Sequence, residues 1–368
     1  MTVTHDSGHL PDRNLISATL ADREREVWPD ILRITAIFAV IVLHSAAAGF
    51  YDTFPADTSQ FQACNFYNAI VRFAVPVFVM ISGMFLLDER RDYSIKKLFG
   101  TKILRIGTAY LLWAAFYSVV DQYQRYNEVQ MCRLFDGIVY GHFHLWFCFM
   151  ISGLYIATPI LRWISKNEKI CIYFMAVSLV IVFVCNLLLL VPKIGEILVY
   201  TSKRLKLEIV AGFSTYFLAG HYLATHKITS RKLRIYIYTA GIISVLGTII
   251  FNGAYSAYQD LVKAWVFNNL GVNVFIIAVS VFVFFQSFFS SVKVSEKMRK
   301  LISLIAKLTF GIYLVHVFFL EHLHLIGLPP FFIHPLFSVP ITSIISFIFS
   351  FCVAYILSKI PILKKYAI

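Results

Sequence analysis

Apolar runs close to twenty residues long recur along the whole chain and constrain its fold more than any other feature of the sequence. A helix rises about 1.5 Å per residue, so a run of this length crosses the hydrocarbon core of a bilayer. A large soluble core is the alternative, but only 14% of the 368 residues are charged, against about a quarter in soluble proteins. The sequence therefore predicts an all-α, polytopic membrane protein.

Ten runs are long enough to span a membrane, and they are too long and too uniformly apolar to be barrel strands. They lie within one predicted membrane domain, 28–358, between a polar N-terminal tail, 1–27, and a C-terminal tail, 359–368. The N-terminal tail has no apolar core or cleavage site, so we do not interpret it as a signal peptide. The ten predicted spans are Ile31–Phe50, Phe66–Leu87, Ile103–Val120, Leu145–Arg162, Ile170–Val191, Ile209–Thr225, Ile235–Gly253, Trp265–Phe285, Leu301–His322 and Phe337–Leu357.

The connections between the predicted spans differ in charge from one side of the membrane to the other. Those on the side of the N-terminus hold 22 Lys and Arg residues, and those on the opposite side hold 7. Short cytoplasmic loops collect such residues, so both tails are predicted to be cytoplasmic. The net charge of +13 has the same explanation. No basic run is long enough to follow a phosphate backbone, so no nucleic-acid partner is predicted.

One predicted outer loop, 192–208, departs from this rule. Two interpretations are open. Either the charges of the neighbouring loops set the orientation despite this loop, or the loop binds an anionic partner such as a lipid-linked pyrophosphate. Its basic residues are Lys193, Lys203, Arg204 and Lys206.

The sequence gives no strong indication of a metal or of a disulfide. The six cysteines form no C-x-x-C pair. Cys64 and Cys132 are both predicted to lie outside, where two free thiols are favoured over a bridge. The cluster Glu321, His322 and His324 lacks helical-face spacing and is interpreted as a polar cap at the membrane interface, so no metal is predicted.

Ionisable side chains inside a span are costly in lipid and therefore indicate a protein interior or a wet cavity. Arg33 and His44 are eleven residues apart, so they share one face of the first span, separated by about 16 Å along its axis. Asp30 can pair with Arg33 at i−3.

A cationic tier near the cytoplasmic surface suits a phosphate-bearing ligand, although snorkelling of the side chain to the membrane interface is the alternative for Lys102. This inner tier comprises Arg33, Lys102, Arg105 and Lys307.

A second tier of polar residues lies about 9 Å from the predicted outer surface. Its members are His44, Arg72, Tyr313 and His316, contributed by three spans. A single buried histidine usually has a structural hydrogen bond, but four such groups at one depth favour a site. They offer a base active near neutral pH and a cation for developing negative charge. A coenzyme A thioester, with its phosphorylated head and long arm, has the shape to reach from one tier to the other.

Five segments of the chain, in the same order and at the same spacing, resemble the acyltransferase-3 family of membrane acyltransferases. Its signature of Arg or Lys, ten residues, then His matches DILRITAIFAVIVLHS at Arg33 and His44. Short members, such as the enterobacterial common antigen O-acetyltransferase, are the most similar. The other four segments are VPVFVMISGMFLLD (75–88), KILR (102–105), HLWF (144–147) and LTFGIYLVH (308–316).

This resemblance implies ten helices and the transfer of an acyl group, usually acetyl from acetyl-CoA, to a hydroxyl of a cell-envelope glycan. It implies that His44 is the catalytic histidine and Arg33 its partner in the motif. The Arg-x-x-Arg pair of the family falls on Lys102 and Arg105, where lysine lacks the planar fork of arginine. His144 and His316 fall on recurrent family positions.

From these residues and the resemblance we predict an O-acetyltransferase of the bacterial inner membrane. Its partners would be membrane lipid and an envelope glycan or polyprenyl-linked saccharide. Acetyl-CoA would dock from the cytoplasm, and His44 would either deprotonate the acceptor or briefly carry the acetyl group. A lipid-linked sugar transporter or flippase and a scaffold without chemistry are the competing hypotheses. The predicted roles are catalysis for His44, Arg33 and Arg72, donor binding for Arg33, Lys102 and Arg105, and acceptor binding for His144, Trp146, Tyr313 and His316.

Overall fold

The computed structural model describes residues 26–50, 54–55, 57–91, 94–184, 212–259 and 267–368, and every regular element in these ranges is helical. Short 3₁₀ turns cover Phe143–Leu145 and Leu323–Ile326, and π-helical turns cover Leu98–Ile103 and Leu179–Val184. The helices are α1 (Trp28–Phe50), α2 (Ser59–Ile70), α3 (Ala74–Leu86), α4 (Ile95–Tyr126), α5 (Met131–Tyr140), α6 (Trp146–Lys166), α7 (Glu168–Ser178), α8 (Phe213–Thr225), α9 (Arg231–Gln259), α10 (Val272–Phe289), α11 (Glu296–His322), α12 (Pro335–Leu357) and α13 (Pro361–Tyr366).

Eight helical stretches of the described chain are long and apolar enough to cross a membrane, which confirms an all-helical architecture with several spans. The predicted spans Ile170–Val191 and Ile209–Thr225 are not among them. The first continues beyond residue 184 into residues that are not described, and α8 has 13 residues after Gly212. The ten-span count and the orientation remain predictions. The basic loop 192–208 and most of the tail 1–27 also lie outside the described residues.

The second predicted span, Phe66–Leu87, is two helices rather than one. α2 ends at Ile70 and α3 begins at Ala74, with a turn over residues 71–73. Pro76 explains the break, because it has no N–H to donate and its ring clashes with the carbonyl four residues earlier, which is that of Arg72. Arg72 therefore lies in a turn inside a membrane-spanning stretch.

The predicted outer connection between the third and fourth spans contains a helix that the sequence analysis missed. α5 packs against α4 and ends at Tyr140, and the next residue, Gly141, has a φ of 68° in the left-handed region that favours glycine. Tyr110 of α4 donates a hydrogen bond to the Ile138 carbonyl oxygen at 2.8 Å. This helix packs along α4 between Tyr110 and Ser118, before the 3₁₀ turn at Phe143–Leu145.

α1 is the central helix of the described bundle and packs against α2, α3, α10, α11 and α12. Small residues permit a close backbone contact between α3 and α8. A Cβ added at Gly83 would collide with the Phe217 carbonyl oxygen, and one added at Gly220 would collide with the Met80 carbonyl oxygen. α12 contacts α1 and α11 through buried Ser and Thr side chains.

Candidate functional site

One cavity of about 800 Å³ opens within the bundle, and it is lined by members of both tiers of polar residues. Arg33 and His44 both contribute to its wall, which confirms the prediction that they share one face of α1. α3, α4, α6, α11 and α13 supply the other sides. The predicted site residues on its wall are Arg33, His44, Arg72, Lys102, Arg105, His144, Trp146 and Tyr313.

The Arg33 end of the cavity is strongly cationic. Asp30 is buried beneath Arg33 with 4.0 Å between its carboxylate and the guanidinium, as the i,i+3 spacing predicts. The guanidinium carbon of Arg33 is 5.6 Å from the Phe85 ring centroid. Arg33 and Lys102 also line a second cavity, of about 1350 Å³, beside the first. The two cavities therefore share part of their walls at the cationic end.

Lys102 and Arg105 lie on α4, where the helix passes from the π-helical turn into regular α-helix. Their charges lie over aromatic rings: the Lys102 nitrogen is 6.0 Å from the Tyr155 ring centroid, and the Arg105 guanidinium carbon is 5.7 Å from that of Phe310. In the described part of the chain the buried Nε of Arg105 has no hydrogen-bond partner. The Arg105 side chain also lines the cavity, and a guanidinium is suited to an anionic ligand.

Two more lysines at this end were missed by the sequence analysis. Lys364 and Lys365 lie on α13, inside the segment predicted as a tail, and they line the cavity beside Lys307. The Trp113 indole N–H donates to the Ala367 carbonyl at 3.0 Å, which holds the end of this segment against α4. In the sequence, Lys364 and Lys365 are visible only as a pair of charges in a stretch too short to span a membrane.

The opposite end of the cavity contains His44 and Arg72. His44 is half-buried on α1, and its ring meets Phe143 edge to face at 5.5 Å between centroids. Arg72 reaches the cavity from the turn between α2 and α3, with its guanidinium carbon 4.8 Å from the Phe267 ring centroid. A base and a fixed cation therefore line the same end of one cavity.

His144 and Tyr313 form a rigid corner of the wall. The Tyr313 hydroxyl donates to the His144 carbonyl oxygen, so its proton is not available to a ligand. The His144 Nδ1 is 3.0 Å from the Nδ1 of His142, and its buried Nε2 has no partner among the described residues. Trp146, more exposed, packs at 5.9 Å between centroids against Phe213.

His316 differs from the other predicted acceptor-binding residues, because it does not line the cavity. It is completely buried on α11, and its Nε2 is 2.7 Å from Nδ1 of His44. The structure therefore places it behind His44, as seen from the cavity.

The cavity wall has an excess of positive charge. Among the described residues that line it there are six Lys or Arg side chains besides Arg72, and no Asp or Glu. Apolar side chains such as Phe78, Phe147 and Ile151 line it as well. The cavity is thus suited to a ligand with several negative charges at one end and an uncharged, elongated remainder.

Comparison with known proteins agrees with this geometry. A protein family described as an acyltransferase domain, the acyltransferase-3 family, matches residues 26–359, which is nearly the whole chain. Neither a curated protein nor a solved structure matches the chain.

Proposed function

Because the chain belongs to the acyltransferase-3 family and is an acyltransferase, we propose that it transfers an acetyl group from acetyl-CoA to a hydroxyl of a cell-envelope glycan or polyprenyl-linked saccharide. We place this reaction in the bacterial inner membrane. The observation that carries the proposal is that one cavity is lined by a cationic cluster at one end and by His44 at the other, with Arg33 of the cluster eleven residues from His44 on α1. A donor with charge at one end and a reactive thioester at the other fits that arrangement.

The cationic end of the cavity supports a donor with several phosphates. Arg33 and Arg105 offer planar forks that match phosphate oxygens, and Lys102 adds a point charge. The specific feature that favours an anion there is the group of Lys and Arg side chains on this wall, with no Asp or Glu among the described lining residues. The apolar wall near Phe78 and Phe147 would hold the uncharged arm of the donor. Docking through this end directs the thioester towards His44.

His44 acts in this proposal as the general base. It takes the proton of the acceptor hydroxyl, whose oxygen forms a bond to the thioester carbonyl carbon. Arg72 stabilises the negative charge that develops on the carbonyl oxygen. The carbon–sulfur bond then breaks, and His44 returns the proton to the leaving sulfur, so the products are an ester and a free thiol. Trp146 and His144 would contact the acceptor.

The test is release of CoA thiol by the purified protein in lipid nanodiscs. The acceptor is membrane glycolipid from source cells that lack the gene, and the glycan is then examined by mass spectrometry for one added acetyl group. We expect His44→Gln to slow transfer by about 10²–10⁴-fold. His324→Gln is the matched control, because His324 is exposed and lies outside the cavity. Acceptor movement across the membrane without thiol release would instead support a transporter.

A further inference from the structure

His44 and His316 are joined by a direct contact between their rings. Nδ1 of His44 and Nε2 of His316 are 2.7 Å apart, which is hydrogen-bond distance. The ring planes differ by only 13° and the centroids are 5.0 Å apart. If the two rings were stacked face to face, the distance between their nearest nitrogens would be close to the distance between their centroids. Here the nitrogens are much closer together than the centroids. The two imidazoles therefore meet edge to edge, with the hydrogen bond in their common plane.

The proton positions in this pair follow from a third group. Nδ1 of His316 is 2.6 Å from the Tyr313 carbonyl oxygen, and a carbonyl oxygen can only accept. Nδ1 of His316 therefore carries a proton, and in a neutral ring its Nε2 must be an acceptor. The donor to that nitrogen is then Nδ1 of His44. This leaves the lone pair of His44 on Nε2, the atom a general base needs.

Helix α12 holds the backbone on both sides of this pair. The Ser346 hydroxyl donates to the His316 carbonyl oxygen at 3.0 Å. Next to His44, Ser45 shares a 2.7 Å hydrogen bond with Thr342, one turn earlier on α12. All of these groups are buried apart from the His44 ring. The pair is thus fixed between three helices and opens to the cavity only through His44.

No carboxylate among the described residues lines the cavity, so an Asp or Glu on its wall cannot orient His44. In hydrolytic triads an acidic residue has this role: it holds the histidine in the tautomer and orientation that the reaction requires. Three ionisable groups on other elements face this region: Arg72 lines the same end of the cavity, the His144 ring centroid is 5.5 Å from that of His316, and His142 contacts His144.

We propose that His316 is the positioning residue of the acyl transfer, a neutral imidazole that accepts the Nδ1 proton of His44 and so presents His44 Nε2 to the acceptor hydroxyl. This inference rests on the proposed function, since it assigns His44 as the base. His316 itself touches neither donor nor acceptor, because it is buried behind His44.

Two substitutions of His316 separate this role from simple packing. In His316→Gln the amide oxygen replaces Nε2 as an acceptor, and in His316→Leu no acceptor remains. We expect His316→Leu to lower kcat by about 10²–10⁴-fold with the KM for acetyl-CoA unchanged, since a wrong tautomer impairs the chemical step alone. His316→Gln should recover most of that loss. Full kcat in the leucine variant, or equal loss in both variants, would overturn the proposal.

Two further variants complete the design. Ser343→Ala is the matched control on α12: the buried Ser343 hydroxyl donates only within its own helix, to the Val339 carbonyl oxygen at 2.7 Å, so this variant should retain nearly full kcat. Adding His316→Leu to His44→Gln should cause no further loss, because residues that act as a unit are not additive. An additive loss would contradict the pairing. Wild-type activity in the His44→Gln variant would contradict the proposed function. Wild-type activity in the His316→Leu variant, with activity lost in His44→Gln, would contradict this inference alone.

Discussion

Arg33 and His44 lie eleven residues apart on α1 and line the same cavity, with a helical separation of about 16 Å. Arg33 is charged and belongs to the cationic cluster, and His44 lies beside Arg72. Their spacing sets the length of ligand that touches both. The cavity therefore has one end suited to binding the charged part of the donor and another suited to catalysis. Each end can be tested separately.

The cationic end should respond to the phosphates of the donor. Arg33→Gln removes a charge that would contact them, and such hydrogen bonds are worth about 1.5–3 kcal/mol. We expect the KM for acetyl-CoA to rise by about 10–100-fold. With S-acetylpantetheine, which has the thioester arm and no phosphate, KM should hardly change. Lys232→Gln, on the exposed face of α9, serves as the charge-matched control. Equal effects on both donors would contradict a phosphate contact.

The lysines of α13 should contribute to the same binding step. Lys364→Ala combined with Lys365→Ala should raise the KM for acetyl-CoA several-fold and leave kcat unchanged, since both residues line the cationic end of the cavity. The segment should stay in place, because Trp113 and Thr108 bind its backbone. Lys359→Ala is the control, as this lysine packs over Tyr355 outside the cavity. Steady-state kinetics on the two variants provide the comparison.

Arg72 should affect the rate rather than donor binding. Loss of one group that stabilises a developing oxyanion costs about 10²–10³ in kcat. We expect Arg72→Gln to show that loss with little change in KM, and Arg72→Lys to recover part of it, because lysine keeps the charge and loses the fork. Arg125→Gln, at the exposed end of α4, should be neutral. A change confined to KM would assign Arg72 to substrate binding instead.

Periodicity and spacing predicted much of this arrangement. The face shared by Arg33 and His44 follows from 100° per residue, and the Asp30–Arg33 pair follows from i,i+3 spacing. The cationic character of one end follows from charges that a lipid-facing helix would not tolerate.

Other features depended on contacts between segments distant in sequence. Depth along the membrane places His316 and His44 at one level, but it does not show which ring faces the cavity. The proline that divides α2 from α3 was visible in the sequence as Pro76, yet the apolar run continues through it. The position of α13 depends on hydrogen bonds from Trp113 and Thr108, about 250 residues earlier, which no local pattern indicates.

The contact between α3 and α8 should tolerate no side chain at its glycines. In Gly220→Ala the new Cβ meets the Met80 backbone, which cannot rotate away. We expect a loss of about 1–3 kcal/mol in stability, as for other overpacked sites, measured by thermal unfolding in detergent. Gly153→Ala is the matched control, since that helical glycine has no neighbour within 4 Å and alanine favours a helix. Equal stability of both variants would contradict the close contact.

The start of α1 should be stabilised in a pH-dependent way by Glu26. Burial alone would raise the pKa of its carboxyl, but hydrogen bonds from Lys227 and Trp28 outweigh burial and hold that pKa below its ordinary value. A carboxyl with a lowered pKa in the folded state stabilises the fold above its unfolded pKa, and that contribution is lost as the pH falls through the folded value. Glu26→Gln should therefore lower the melting temperature at pH 7 and have progressively less effect below about pH 4.5. Lys227→Met should reproduce the loss at pH 7, and the double variant should lose little more than either single one. A difference between Glu26→Gln and wild type that stays constant down to pH 3 would show that the carboxylate charge is not the cause.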